Sequence, residues 1–178
     1  MKKEPTHDSG DSIETCTGYC GEGATLSLPN VADKQVEGLE HVNYEYTMLR
    51  DALSGIRLFN SMDIVRNAFV ESFAIHSRVL IEFLHPNPAG RKDDIIAAAF
   101  VRDEESWIKE RGAKPDVLAK AKVRADKMVG HLTYARLSLD RQWPAPQIVS
   151  EIDRTWRLFL SHCRDEFKPS SPRQQQFL

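Results

Sequence analysis

One stretch beginning at Pro115 carries the residues best suited to chemistry: Lys120, Arg124, Lys127 and His131. Arg124 and His131 are seven positions apart, two full turns of an α-helix, so both side chains fall on one face. Lys120 and Lys127 lie in the same narrow arc. An imidazole that titrates near neutrality can serve as general base or acid. A guanidinium can hold a phosphate through a charge-assisted fork, with Lys127 assisting. Such a set could hold and act on a phosphate ester without metal or cofactor. Residues 115–137 hold five bases against two acids. The plainer reading of that face is a solvated basic surface answered by acids on neighbouring helices.

The Arg-to-His spacing occurs three times, as Arg78/His85, Arg124/His131 and Arg157/His162. Arg157 and His162 diverge by about 140° round a helix. His85 stands at a helix end against Pro86, which leaves Arg124/His131 as the mid-helix pair. His76 projects from the apolar face of its helix and reads as a neutral histidine bonded to Thr155, Tyr134 or Tyr46, since an unsatisfied one costs ~1–3 kcal/mol. Glu71, His76 and Arg78 form a candidate structural polar network. A carboxylate-bridged di-metal centre needs two Glu-x-x-His motifs, and only Glu82–His85 matches. Cys16 and Cys20 have no second pair of ligands nearby, so no metal site is expected. Gly-rich phosphate loops are absent.

The elements that must position these residues are helical. Asp63 to His85 runs 23 residues without Gly or Pro, and Val65, Phe69, Phe73, Val79, Leu80 and Phe83 crowd one side. Ala68, Ala74, Ile75 and Ile81 extend the apolar surface, leaving a polar strip of Asn67, Glu71, Arg78 and Glu82. A helix so apolar is expected at the centre of the fold. Before it, Leu39, Val42, Tyr46, Leu49, Leu53 and Ile56 make one stripe from about Asp33 to Leu58, with Glu37, Glu40, Glu45 and Asp51 opposite. Asn60-Ser61 offers a turn and a cap, so the two helices form an antiparallel hairpin. A short helix is expected over Ile95 to Val101, and 102–114 reads as irregular around Trp107. Helices from Pro115 to about Leu137 and from Pro146 to about Arg164 follow. No segment alternates with period two. The fold class is therefore all-α: a four-helix bundle with one additional short helix and disordered termini.

Length and composition fit this layout. In 178 residues, 1–30 mix Gly, Ser, Thr and acids and read as disordered, 31–167 as the bundle domain, and 168–178 as a disordered tail. The formal net charge of −2 gives no general pull toward nucleic acid or a membrane surface. Three cysteines make no disulfide framework. No secretory signal and no membrane-spanning run is visible, so a cytoplasmic protein without a membrane is expected.

NAFVESFAIHSRVLIEFL followed by ADKMVGHLTYAR resembles segments of small bacterial helical proteins similar to HEPN-type bundles. The resemblance spans roughly 60–140. It implies a four-helix bundle, often a homodimer, with RNA as partner and cleavage carried by an Arg followed after four to six residues by a His. Arg124 and His131 fit that spacing, although the polar residue that usually follows the Arg is Ala125 here. The other reading is a non-catalytic helical interaction or oligomerisation protein whose polar residues form a structural network.

Overall fold

The computed structural model describes residues 31–90, 93–130, 134 and 143–168. Segment 1–30 and the tail beyond Lys168, expected to be disordered, lie outside the described residues. The fold is all-α, with helices α1 (Val31–Leu58), α2 (Asp63–Leu84), α3 (Glu104–Arg111), α4 (Asp116–Ala125) and α5 (Ala145–His162). Short 3₁₀ turns cover Ala97–Phe100 and Asp165–Phe167, and Asp126–Gly130 is wound as π-helix. None of the described helices is long and apolar enough to cross a membrane.

Helices α1 and α2 form the expected hairpin. The chain turns through Phe59–Met62, where the Met62 N–H donates to the Phe59 carbonyl at 3.0 Å. The cap differs from expectation: Met62 occupies the N-cap and gives no side-chain hydrogen bond. Asp63 in the first turn favours the helix dipole instead and pairs with Arg66 at 3.0 Å. Gly55 allows the two helices to close. A Cβ there would stand 2.4 Å from the Phe69 ring.

Helix α2 meets α1, α4 and α5, as its apolar surface requires. Its burial is one-sided along its length, however. The buried residues are Phe73, Ala74, Ser77, Leu80, Ile81, Phe83 and Leu84, all in the C-terminal half. Val65 and Phe69 are half-buried, and Ile75 is exposed. Around Phe83 an aromatic cluster joins three elements: Phe159 at 5.1 Å between ring centres, Phe100 at 6.1 Å and Trp156 at 6.3 Å. Tyr46 of α1 stacks on Trp156 at 4.8 Å. The Tyr46 hydroxyl then donates to Asp153 at 2.9 Å, which also accepts from Arg50 at 2.9 Å, so α1 is pinned to α5.

The region 102–114 is not irregular. Asp103 caps α3 by accepting from the N–H groups of Glu105 and Ser106. Glu104 and Glu105 open that helix, Lys109 and Arg111 close it, and Gly112 follows at φ +70. Trp107 buries itself against Phe159 at 6.0 Å between ring centres. Phe100 to Arg102 run antiparallel beside His162 to Arg164. There the Arg102 N–H donates to the His162 carbonyl and the Arg164 N–H to the Phe100 carbonyl, both at 3.0 Å.

Removing one of the central rings should be severe. Phe73→Ala or Phe83→Ala is expected to cost ~3–5 kcal/mol in urea unfolding. Gly55→Ala should also lower the melting temperature. Alanine is the better helix former by ~1 kcal/mol, yet here it would collide with Phe69. A raised melting temperature for Gly55→Ala would contradict the close packing of the hairpin.

Candidate functional site

The basic residues of α4 do not stand alone. Lys122 donates to Asp126 at 3.1 Å and approaches Glu82 of α2 at 3.1 Å. Arg78 of α2 reaches across to Asp126 at 2.5 Å and to Glu82 at 3.6 Å. Two acids and two bases therefore close a ring of ion pairs along the α2–α4 seam. Burial alone would lower the Lys122 ammonium, but the hydrogen bonds to Asp126 and Glu82 outweigh it and hold its pKa up. Burial would raise the Asp126 carboxyl, and Lys122 and Arg78 hold it below its ordinary value.

Arg124 points elsewhere. Its guanidinium lies over the Trp143 ring, 5.2 Å from the centre. Lys120 and Lys127 are exposed. His131 lies outside the described residues. Regular α-helix stops at Ala125, and the five residues Asp126–Gly130 are wound as π-helix. The α-helical count that sets Arg124 and His131 two full turns apart does not hold across such a segment, where bonds run from i to i+5.

The expected polar network of Glu71, His76 and Arg78 divides into separate parts. Glu71 is exposed, two turns before Arg78 on the same strip of α2. Arg78 belongs to the α2–α4 ring. His76 Nδ1 meets Glu45 Oε2 at 2.6 Å, with the Tyr44 ring edge-on to the imidazole. None of the three partners expected for His76 is the one found. Thr155 donates to the Glu151 carbonyl of its own helix, Tyr46 bonds Asp153, and Tyr134 is exposed. The reason is register: Glu45 and His76 each lie fifteen residues from the turn at Asn60-Ser61. Glu45 was assigned to the outer face of α1, whereas it borders the seam with α2.

A groove of about 660 Å³ opens between α1, α2 and the 86–96 connection. Its walls include Val42, Phe83 and Ile95, with Glu45, Arg78, Glu82 and Lys122 contributing charge. Those four charges are the ones already paired above. Asp93 and Asp94 also line the groove, so its acids outnumber Arg78 and Lys122 four to two.

His85 is the residue sequence reasoning placed least well. It stands at the helix end against Pro86, yet is only 2 % exposed. Neither ring nitrogen has a hydrogen-bond partner among the described residues, and Arg111 Nε is likewise buried without one. Desolvation, followed by the positive charges of Arg111, Lys114 and Arg154, pushes its pKa down to about 4. Glu82, the other half of the single Glu-x-x-His match, is turned to Lys122 and Arg78.

The sign of the resulting pH dependence is fixed. Between 6.5 and about 4 the unfolded chain takes up a proton that the native ring refuses. Stability present above pH 6.5 is therefore lost as pH falls through this window, by roughly 2–3 kcal/mol, and the loss levels off below it. The Asp126 contribution is lost only below its ordinary value of 3.8. Urea midpoints measured across pH 7 to 4 should show the slope in the native chain and a shallower one in His85→Leu. Equal slopes would contradict a buried neutral His85.

No family model, curated protein or solved structure matches this chain, so its function is read from the residues themselves.

Proposed function

We propose that the chain works by association, not catalysis: a helical bundle that pairs with a second copy through the turn end of the α1–α2 hairpin. The observation that carries this reading is the exposure of Leu58 at 78 %, Met62 at 52 % and Ile64 at 87 %, with Phe59 beside them. Large apolar residues clustered at one end of a bundle mark an interaction surface more often than a solvated one. The rim supports a copy of the same chain as partner. Asp63 and Arg66, joined at 3.0 Å, and the exposed Arg57 stand beside the patch, so both signs are present. Such a rim can complement itself across a two-fold axis, whereas a nucleic-acid surface would be of one sign.

RNA cleavage by Arg124 and His131, with Lys120 and Lys127 assisting, draws less support. Arg78 and Lys122 are taken up by Asp126 and Glu82 along the α2–α4 seam, and Arg124 covers Trp143. The rest of the argument is the exposure of Lys120 and Lys127, which a solvated helix also shows.

Sedimentation equilibrium over a concentration series decides between the two. The native chain should show a monomer–dimer equilibrium. Met62→Asp and Ile64→Asp should weaken it at least about tenfold, the equivalent of 1.4 kcal/mol, with melting at low concentration within a few degrees of native. Native chain and His131→Ala should both leave RNA intact. A monomer at every concentration, or RNA cleavage that disappears in His131→Ala, would overturn the proposal.

A further inference from the structure

The end of the molecule opposite the hairpin turn gathers buried nitrogens that no group among the described residues satisfies. His85 closes α2, with its backbone N–H on the Ile81 carbonyl and its two ring nitrogens unpartnered. Arg111, in the last turn of α3, donates through Nη1 to the carbonyl of Leu84, the neighbouring residue, at 2.7 Å. That bond brings its guanidinium to the His85 backbone. Arg111 Nε stays buried and unpartnered there. Lys114 follows in the connection to α4, half-buried, and forms no ion pair among the described residues.

Two adjoining buried groups with three open nitrogens are unusual, because native interiors satisfy nearly all such atoms with protein, water or a bound ion. A water could serve one or two of them. The charge around them argues for more. Arg111, Lys114 and Arg154 all bear on His85 with the same sign. Arg154 is paired with Glu151 at 3.0 Å, and Glu82, whose charge bears on Lys114, is itself held by Lys122 and Arg78. Among the described residues neither Arg111 nor Lys114 is in ion-pair contact with a carboxylate. Like charges held together at a half-buried surface repel, and an anion of two charges relieves that repulsion.

We infer that His85, Arg111 and Lys114, gathered at the C-terminal end of α2, bind a phosphate group. Arg111 offers a planar fork and Lys114 a mobile ammonium, while His85 donates from one ring nitrogen. Access is through the half-buried Arg111 and Lys114 side chains. This site is independent of the association proposed above, since it lies on other residues and at the other end of α2.

The test uses the full chain, inorganic phosphate and acetate at low ionic strength, read by the ring resonances of His85 in long-range proton–nitrogen spectra. Phosphate should produce a saturable shift at His85 and raise its pKa, because the bound anion favours the imidazolium. Acetate should bind at least about tenfold more weakly, having one charge and two oxygens. Lys114→Gln should reduce phosphate affinity at least about tenfold with melting within a few degrees of native, as this side chain makes no hydrogen bond among the described residues. Arg111→Gln should abolish the shift, and Lys114→Gln keeps the test open if that variant unfolds. A His85 resonance indifferent to phosphate would overturn the inference, as would equal binding of acetate and phosphate or a shift unchanged in Lys114→Gln. Ordered water would then satisfy these nitrogens.

Discussion

Everything in this fold depends on burying the second half of α2. Phe73, Leu80, Ile81, Phe83 and Leu84 cannot be covered by one neighbour, so α1, α4 and α5 must all reach them. At ~25 cal/mol per Å² of apolar surface, a handful of such side chains supplies a large share of a small domain's stability. The remaining features act as adjustments to that constraint. Asp153 fastens α1 to α5, the Arg78–Asp126–Lys122–Glu82 ring fastens α4 to α2, and α3 exists to bring Trp107 against Phe159. The first ten residues of α2 escape the constraint, which is why the hairpin turn ends in exposed apolar surface.

The same constraint explains why charge looks functional in the sequence and structural in the fold. A central helix with a narrow polar strip has few places to put Arg78 and Glu82, and both point along the seam with α4. Partly buried pairs of this kind specify register more reliably than they add stability. Lys122 near the end of α4 and Asp126 just past it, four residues apart, meet the strip with opposite charges. At the C-terminal end of α2 the balance is poorer: Arg111, Lys114 and Arg154 bear on His85, and of the three only Arg154 is in an ion pair, with Glu151.

The helical class and the extent of α1, α2 and α5 were legible because long apolar stripes at helical spacing leave few alternatives. Helix α3 was hidden because eight residues with only Trp107 and Ile108 apolar give no periodicity. Its signal lay in Asp103 as cap, acids first, bases last and Gly112 after. The Glu45–His76 pair could have been read by counting outward from the turn, had Glu45 not been assigned to the outer face. The spacing of Arg124 and His131 was read as regular α-helix, and nothing in Asp126–Gly130 announces a π-wound turn. The environment of His85 was out of reach, since it is made by Arg111, Lys114 and Arg154 from three later parts of the chain.

The central claim is that α2 is anchored in its C-terminal half and available in its first turns. Amide hydrogen exchange at two protein concentrations tests this most directly. Amides of Phe73 to Leu84 should exchange only through global unfolding at either concentration. Those of Ile64 to Ala68 should exchange by faster local opening, and should slow as concentration rises and copies pair. Uniform protection along α2, or equal exchange of its first turns at both concentrations, would contradict the account.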